Sequence, residues 1–146
     1  MPRDRTAELE EIPTFRHMLI PTDFSPFANR AIPIGYGIVA RGGIVHLLHV
    51  VTRKPGEDDL YVTERLRALI PTGAMTRGIF TEIEVIQDEN AWAGIWHAAG
   101  RLGVDAICMA THGRSGISRV VLGSQAQEVV LRTRQPVVLV PPEREG

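Results

Sequence analysis

Residues 105–140, "DAICMATHGRSGISRVVLGSQAQEVVLRTRQPVVLV", decide the fold class of this chain. The first eight residues are mostly apolar and predict a buried strand, and a glycine-containing loop then leads to a predicted helix at 124–134. The apolar run at 136–142 predicts a further strand, which prolines close. Two strands joined through a helix form a parallel pair with a right-handed crossover.

The rest of the chain repeats this alternation. Strands are predicted at 16–23, 43–51 and 79–87, and helices at 25–41, 60–70 and 90–103. Ser25 is a good N-cap and Pro26 fits the first helical turn, whereas Pro33 should kink or shorten the same helix. The order β-α-β-α-β-α-β-α-β predicts an α/β domain with a parallel sheet and helices on both faces.

Composition excludes several classes of protein. The chain has 146 residues and a formal net charge of −1, which suits one domain and gives no general basic field for nucleic acid. No apolar stretch approaches the roughly 20 residues of a membrane helix. One cysteine, Cys108, excludes a disulfide framework and fits a reducing compartment, so we expect the cytoplasm. Residues 1–14 are expected to be a mobile leader and 143–146 a tail around the domain at 15–142.

The residues that follow each strand are the first candidates for a site, because open parallel sheets bind ligands at the carboxyl ends of their strands. Pro21, Thr22 and Asp23 follow the first strand. Ser25 can cap the next helix, which leaves the Asp23 carboxylate for a sugar hydroxyl or a metal-bound water. The alternative is that Asp23 itself serves as a local cap.

The loop at 110–124 can receive an anion. Its glycines let backbone N–H groups approach a phosphate, and the next helix adds the positive end of its dipole. The Ser124 hydroxyl can donate to a phosphate, although Ser124 and Gln127 also fit a capping box, and both roles are compatible. Arg114 and Arg119 either neutralise phosphate or are simply solvated.

Other catalytic and binding motifs are missing. The sequence holds no GxxxxGK[ST] and no GxGxxG motif, and "GRSGI" lacks the pattern of a nucleophile elbow. His46 and His49 are three residues apart on a predicted strand, so they face opposite sides and cannot share a metal. His112 borders the loop and can touch a ligand, but it is weak support for a general base. Binding is therefore favoured over catalysis.

Four segments together resemble the universal stress protein family, from about Arg16 to Pro141. They are "IPTDFS", "HLLHVV", "GVDAICMATHG" and "GSQAQEVVLRTRQPVVLVP". The resemblance implies a Rossmann-like, adenine nucleotide alpha hydrolase-like fold with a five-stranded parallel sheet in the order 3-2-1-4-5. It also implies a nucleotide-binding subgroup, whose loop has the form G-x2-G-x9-G-[ST]. Gly113, Gly123 and Ser124 match this form, and Ala110 stands at the position of the first glycine. The methyl group of Ala110 leaves less room for a phosphate to approach the backbone, but it is tolerated where φ is negative.

The family pattern implies where an adenine nucleotide binds. Asp23 is expected near the ribose, and the backbone of Val50 near the adenine. The full set of expected contacts is Pro21, Thr22, Asp23, Val50, Ala110, His112, Gly113, Arg114, Ser115, Gly123, Ser124 and Gln125. The ligand is expected to be ATP, or else ADP or AMP, with or without Mg²⁺.

The same resemblance implies a homodimer through residues 136–140. The net charge and the lack of a long apolar stretch predict no partnership with nucleic acid or membrane. We expect a nucleotide-binding module in stress response or signalling that acts on a downstream protein the sequence does not name. The alternatives are a weak ATP-hydrolysing enzyme and a dimeric scaffold with an empty nucleotide site. The sequence offers no convincing general base, activating lysine or metal cluster for catalysis.

Overall fold

The computed structural model describes residues 12–52, 59–112 and 122–143. The strands are β1 (His17–Pro21), β2 (Ile44–Val51), β3 (Phe80–Gln87), β4 (Ala106–Ala110) and β5 (Val137–Val140). The helices are α1 (Pro26–Asn29), α2 (Ala31–Ile38), α3 (Asp59–Arg67), α4 (Ala91–Leu102) and α5 (Ser124–Arg132). The expected alternation of strands and helices is confirmed. The leader residues 1–11 lie outside the described residues.

All five strands are parallel and lie in the order β3-β2-β1-β4-β5, as expected. Central strand β1 pairs with β2 on one side and with β4 on the other, so that Met18 lies opposite both Val45 and Ala106. The chain order reverses between β1 and β4. Ligands of open parallel sheets bind at such a reversal, outside the carboxyl ends of the strands.

Two layers of helices cover the sheet. Neighbouring residues of a strand face opposite sides, so Ile20 packs with α2 and α3 while Leu19 packs with α4 and α5. Helix α2 packs closely against β1, because a Cβ atom on Gly35 would lie 2.3 Å from Cδ1 of Ile20. No helix within the described ranges is long and apolar enough to cross a membrane.

The helix expected at 25–41 is two helices, and it ends early at Ile38. Ser25 caps α1 as expected, because its Oγ accepts a hydrogen bond of 3.1 Å from the Ala28 N–H. The break at Arg30 follows from Pro33, which has no N–H to donate to the carbonyl of Asn29 four residues earlier. This break sets α1 apart as a single turn beside the carboxyl end of β1.

The other helix boundaries follow local signals. Helix α4 begins after Asn90 and ends at Gly103, which adopts φ 63°, a left-handed conformation that favours glycine. The Asn90 side chain makes no capping hydrogen bond. Strand β3 is a half-exposed edge, as its alternating pattern predicts, and β5 forms the opposite edge.

Candidate functional site

A cavity of about 290 Å³ opens at the carboxyl ends of β1, β2 and β4. Nine of the twelve residues expected from the sequence line it. They are Pro21, Thr22, Asp23, Val50, Ala110, His112, Gly123, Ser124 and Gln125. The other three, Gly113, Arg114 and Ser115, lie outside the described residues, as does Arg119. Three separate segments of the chain therefore meet at the point where the strand order reverses.

Sequence reasoning missed seven of the residues that line the cavity. They are Ala28, His49, Ala91, Ile95, Met109, Thr111 and Ala126. Met109 and Thr111 flank Ala110 and could have been found by extending the strand-end rule by one residue each way. Ala91 and Ile95 are four residues apart on α4 and share one face, but only tertiary packing turns that face to β2 and β4.

The turn after β1 is built from local hydrogen bonds. The Ser25 N–H donates to Asp23 Oδ1 (2.9 Å), and the Phe24 N–H donates to Thr22 Oγ1 (3.0 Å). Asp23 therefore supports the turn with one oxygen, while Ser25 provides the helix cap. The second carboxylate oxygen of Asp23 has no partner in the described part of the chain. It is free to accept a hydrogen bond from a ligand in the cavity.

An aromatic stack holds this turn in place. Phe24 has φ 70°, which is costly for a bulky side chain. His49 donates through Nδ1 to the Thr22 carbonyl over 2.9 Å, and its ring lies 4.6 Å from that of Phe24. The Arg65 guanidinium lies over the Phe24 ring, with its Cζ atom 3.9 Å from the ring centroid. These contacts offset the backbone strain of the turn that carries Asp23.

The opposite wall is the N-terminus of α5. Gly123 is the N-cap and Ser124 the first helical residue, and no side chain caps this helix. The expected capping box of Ser124 and Gln127 is therefore wrong. The Gly123 N–H donates instead to the Thr111 carbonyl (2.8 Å), and the Gln127 N–H makes the first regular helical bond, to the Gly123 carbonyl (2.9 Å). The Ser124 hydroxyl is left available at the cavity.

Contacts within the protein, independent of any ligand, favour glycine at position 123. A Cβ atom there would lie 2.7 Å from the Thr111 carbonyl oxygen, closer than real Cβ contacts allow. A larger residue at 123 would have to displace the Thr111 carbonyl at the end of β4. Position 110 does not require glycine, because Ala110 has a negative φ. Phe24 is the one non-glycine residue with positive φ within the described ranges. The methyl group of Ala110 is compatible with the backbone at the end of β4.

A second helix N-terminus reaches the same cavity. Ala91 at the start of α4 lines it, and Gln125 Oε1 accepts a hydrogen bond of 2.9 Å from the Trp92 N–H. The Arg132 guanidinium lies 4.5 Å from the Trp92 ring and pairs with Glu128 at 2.9 Å. The two helix ends are thus tied together. Both direct unpaired N–H groups and partial positive charge towards one wall, which favours an anion.

The remaining wall is apolar. Val50, Ile95 and Met109 line it, and all three side chains are at least nine-tenths buried. Helix α4 lies close to Val50 because residue 94 is glycine, where a Cβ atom would meet Val50 Cγ1 at 2.6 Å. A flat apolar group fits this wall, with the Asp23 carboxylate and the helix ends on its polar sides.

The geometry offers little for catalysis. The ionisable side chains of the described lining residues are Asp23, His49 and His112. Burial raises the pKa of the nearby Cys108 thiol to about 11, so it is not a nucleophile at neutral pH. No group of three His, Cys, Asp or Glu side chains in the described part of the chain is placed to hold a metal ion.

Comparison with known proteins agrees with this fold. Residues 14–141 match the model of the universal stress protein family. No curated protein matches the chain significantly. The hypothetical protein MJ0577 superposes with a TM-score of 0.76 at 23% identity, covering 91% of this chain and 100% of that one.

Two similar structures contain nucleotides. A universal stress protein in complex with cAMP superposes with a TM-score of 0.69 at 16% identity, covering 90% of this chain and 100% of that one. The universal stress protein of Archaeoglobus fulgidus in complex with dAMP gives a TM-score of 0.61 at 15% identity, covering 87% and 98%. At these identities the likeness concerns the fold.

Proposed function

The chain belongs to the universal stress protein family, and on this premise we propose that it binds an adenine nucleotide, with ATP the expected ligand, in the cavity at the carboxyl ends of the strands. With the nucleotide bound, the protein acts as a homodimer in stress response or signalling, and its target is a downstream protein. The buried, single Cys108 supports a reducing compartment such as the cytoplasm.

One observation carries the proposal. Residues that the sequence pattern assigns to nucleotide binding come from three separate segments, around 21–23, 50 and 110–125, and nine of them line one cavity. The cavity combines an apolar wall, a carboxylate and two helix N-termini. Adenine, ribose and phosphate require these three environments in turn. The cAMP and dAMP complexes of two similar proteins support the same class of ligand.

The expected pose follows from the chemistry of each wall. The adenine lies against Val50, Ile95 and Met109, and the ribose hydroxyls donate to the free oxygen of Asp23. The phosphates extend to the N-termini of α4 and α5. Asp23 is the one carboxylate among the described lining residues, so Mg²⁺ would be held chiefly by the phosphates themselves.

Calorimetric titration of the folded, nucleotide-free protein with ATP, ADP and AMP tests the proposal. We expect heat of binding and a rise in melting temperature, since a ligand at 100 times its Kd adds about 2.7 kcal/mol to the free energy of unfolding. Asp23→Asn should weaken binding of the nucleotides and of adenosine alike. Neither heat nor thermal shift with any of the three would contradict the proposal.

Slow hydrolysis of ATP is the alternative, and the lack of a metal-holding cluster in the described part of the chain argues against it. We expect negligible turnover. Product formation on the order of 1 per second, typical of modest enzymes, would overturn this expectation if Asp23→Asn abolished it. The unchanged rate in that variant would instead indicate a contaminating enzyme.

The dimer is proposed through the open edge of β5, since an exposed apolar strand edge requires a partner or a cover. The Ile107 and Thr111 N–H groups donate to the carbonyls of Pro136 and Val140, so the backbone groups of Leu139 point to the open edge. Leu139→Pro should give monomers in sedimentation equilibrium. Leu139→Ala, which keeps the N–H, should dimerise more tightly than the proline variant. A monomer mass of the unmodified protein at every concentration would refute the dimer.

A further inference from the structure

We propose that His112 donates a hydrogen bond from Nε2 to a phosphate oxygen of the bound nucleotide, with the Thr111 hydroxyl holding the imidazole in the tautomer that this requires. The inference rests on the proposed function, and it names the side chain that separates a nucleotide from a nucleoside. The ligand class is an adenosine phosphate, because adenosine alone offers no anionic oxygen.

The first support is an unmet hydrogen bond. His112 is 5% exposed, and its Nε2 atom is buried without a partner. Buried polar groups are nearly always paired, since an unpaired one has lost its hydrogen bond to water and gained nothing. His112 also lines the cavity. A ligand oxygen that reaches Nε2 would supply the missing partner.

The second support is the position of the ring. Cδ2 of His112 is 3.5 Å from the place where a Cβ atom would stand on Gly123, the N-cap of the nine-residue helix α5. Nε2 is bonded to Cδ2, so the same edge of the imidazole adjoins the start of this helix. An anion there would receive the Nε2 proton together with backbone N–H groups and the positive end of the helix dipole.

The third support is the partner of the other ring nitrogen. Thr111 Oγ1 lies 3.0 Å from His112 Nδ1. A neutral imidazole carries one proton, so Nε2 is a donor only when the threonine hydroxyl donates to Nδ1. An anion beside Nε2 selects this arrangement. Thr111 is therefore a positioning residue, which acts through His112.

Two substitutions of His112 distinguish the role of Nε2 from that of Nδ1. The amide nitrogen of His112→Gln can occupy the place of Nε2, whereas that of His112→Asn reaches only the place of Nδ1. We expect His112→Asn to bind AMP about ten- to a hundredfold more weakly, the range for a lost hydrogen bond to a charged group, and His112→Gln to lose less. Adenosine affinity should not change in either. His97→Asn, at an exposed histidine outside the cavity, is the matched control and should bind AMP normally.

The tautomer provides a readout that a merely structural role would not move. In ¹⁵N spectra of the labelled protein, the Nε2 resonance of His112 should be that of a protonated nitrogen in the AMP complex. Thr111→Val should lower AMP affinity and Thr111→Ser should restore it. Unchanged AMP affinity in folded His112→Asn, or an unprotonated Nε2 in the complex, would overturn the inference while leaving nucleotide binding intact.

Failure of the proposed function is recognised separately. If the unmodified protein binds none of ATP, ADP, AMP or adenosine, the nucleotide proposal fails. The anion site is then judged with inorganic phosphate as the probe. A phosphate-dependent change at the Nε2 resonance supports the site, and no change at any phosphate concentration overturns it.

Discussion

The two ends of the sheet treat polar side chains in opposite ways. At the carboxyl end, Thr22, Asp23 and Ser124 line an open cavity. Towards the amino end, the rings of His17 and His46 stack with their centroids 6.0 Å apart, and His46 is only 7% exposed. Glu84 Oε1 approaches His46 Nδ1 no closer than 3.7 Å. Both ring nitrogens of His46 and Nδ1 of His17 are buried without a hydrogen-bond partner.

This difference shows that a polar residue in a strand does not by itself mark a site. His46 is as polar as His112 and no more buried, but His46 does not line the cavity. Burial lowers the pKa of His46, an effect that the nearby Glu84 opposes and His17 reinforces. The carboxyl end can bind because its polar groups face a cavity and keep unused hydrogen-bonding capacity.

Gly123→Val should have the largest effect, and it acts at the carboxyl end. The side chain would collide with the Thr111 carbonyl, so we expect the free energy of unfolding to fall by about 1–3 kcal/mol and AMP affinity to fall with it. Chemical denaturation and calorimetry measure the two. The sequence predicts a glycine here for the approach of a phosphate, and the contact with Thr111 adds a structural reason for it.

Gly100→Ala is the matched control for this prediction. Gly100 lies within α4, and a Cβ atom there would meet nothing within 4 Å. Alanine should therefore stabilise the protein by about 0.5–1 kcal/mol and leave AMP affinity unchanged. Equal stability of Gly123→Val and the unmodified protein would show that the loop ends are not in close contact.

His46→Leu tests the amino end. Replacing an unpaired buried imidazole by an apolar side chain of similar size should raise the free energy of unfolding at pH 7 by about 1 kcal/mol. The pKa of His46 is lower in the folded state, so below about pH 6.5 the unfolded chain binds a proton that the native protein does not. Stability is thus lost as pH falls from about 6.5 through the folded pKa.

Denaturation curves between about pH 7.5 and pH 5, which span the usual histidine pKa, measure this loss. The leucine variant should show a shallower decline, whereas AMP affinity at pH 7 should not change because the cavity lies at the other end of the sheet. An identical pH dependence in both proteins would mean that His46 is not a buried neutral histidine.

The smallest effects come from two serines at helix starts. Ser25→Ala should cost about 1 kcal/mol, because the Ser25 hydroxyl accepts from the Ala28 N–H. Ser124→Ala should cost less than about 0.5 kcal/mol, since α5 has no side-chain cap, but it should weaken AMP binding. Thermal unfolding and titration of both variants give the comparison. A stability loss at Ser124 equal to that at Ser25 would restore the capping role.

Local sequence determined the elements of this protein. The alternation of apolar runs and helical segments specified a parallel sheet, Ser25 and Pro26 set the start of α1, and Gly103 ended α4. These signals suffice because they concern hydrogen bonds and backbone conformations of residues a few positions apart. The position of the candidate residues at the ends of the strands pointed to Pro21, Thr22, Asp23 and the loop that holds Gly123 and Ser124. The strand order and the expected contact of Val50 with adenine came from the resemblance to a known family.

Tertiary structure decided what each polar group is free to do. Ser124 was expected to cap its helix, but α5 has no side-chain cap, and the Gly123 N–H donates to the Thr111 carbonyl instead. His49 was not expected at the cavity, yet it holds the turn of Asp23 through the Thr22 carbonyl. His46 and His112 look alike in sequence, and only packing places His112, and not His46, at the cavity wall. Contacts between residues distant in the chain depend on how the helices pack against the sheet. The pattern of neighbouring residues does not encode that packing.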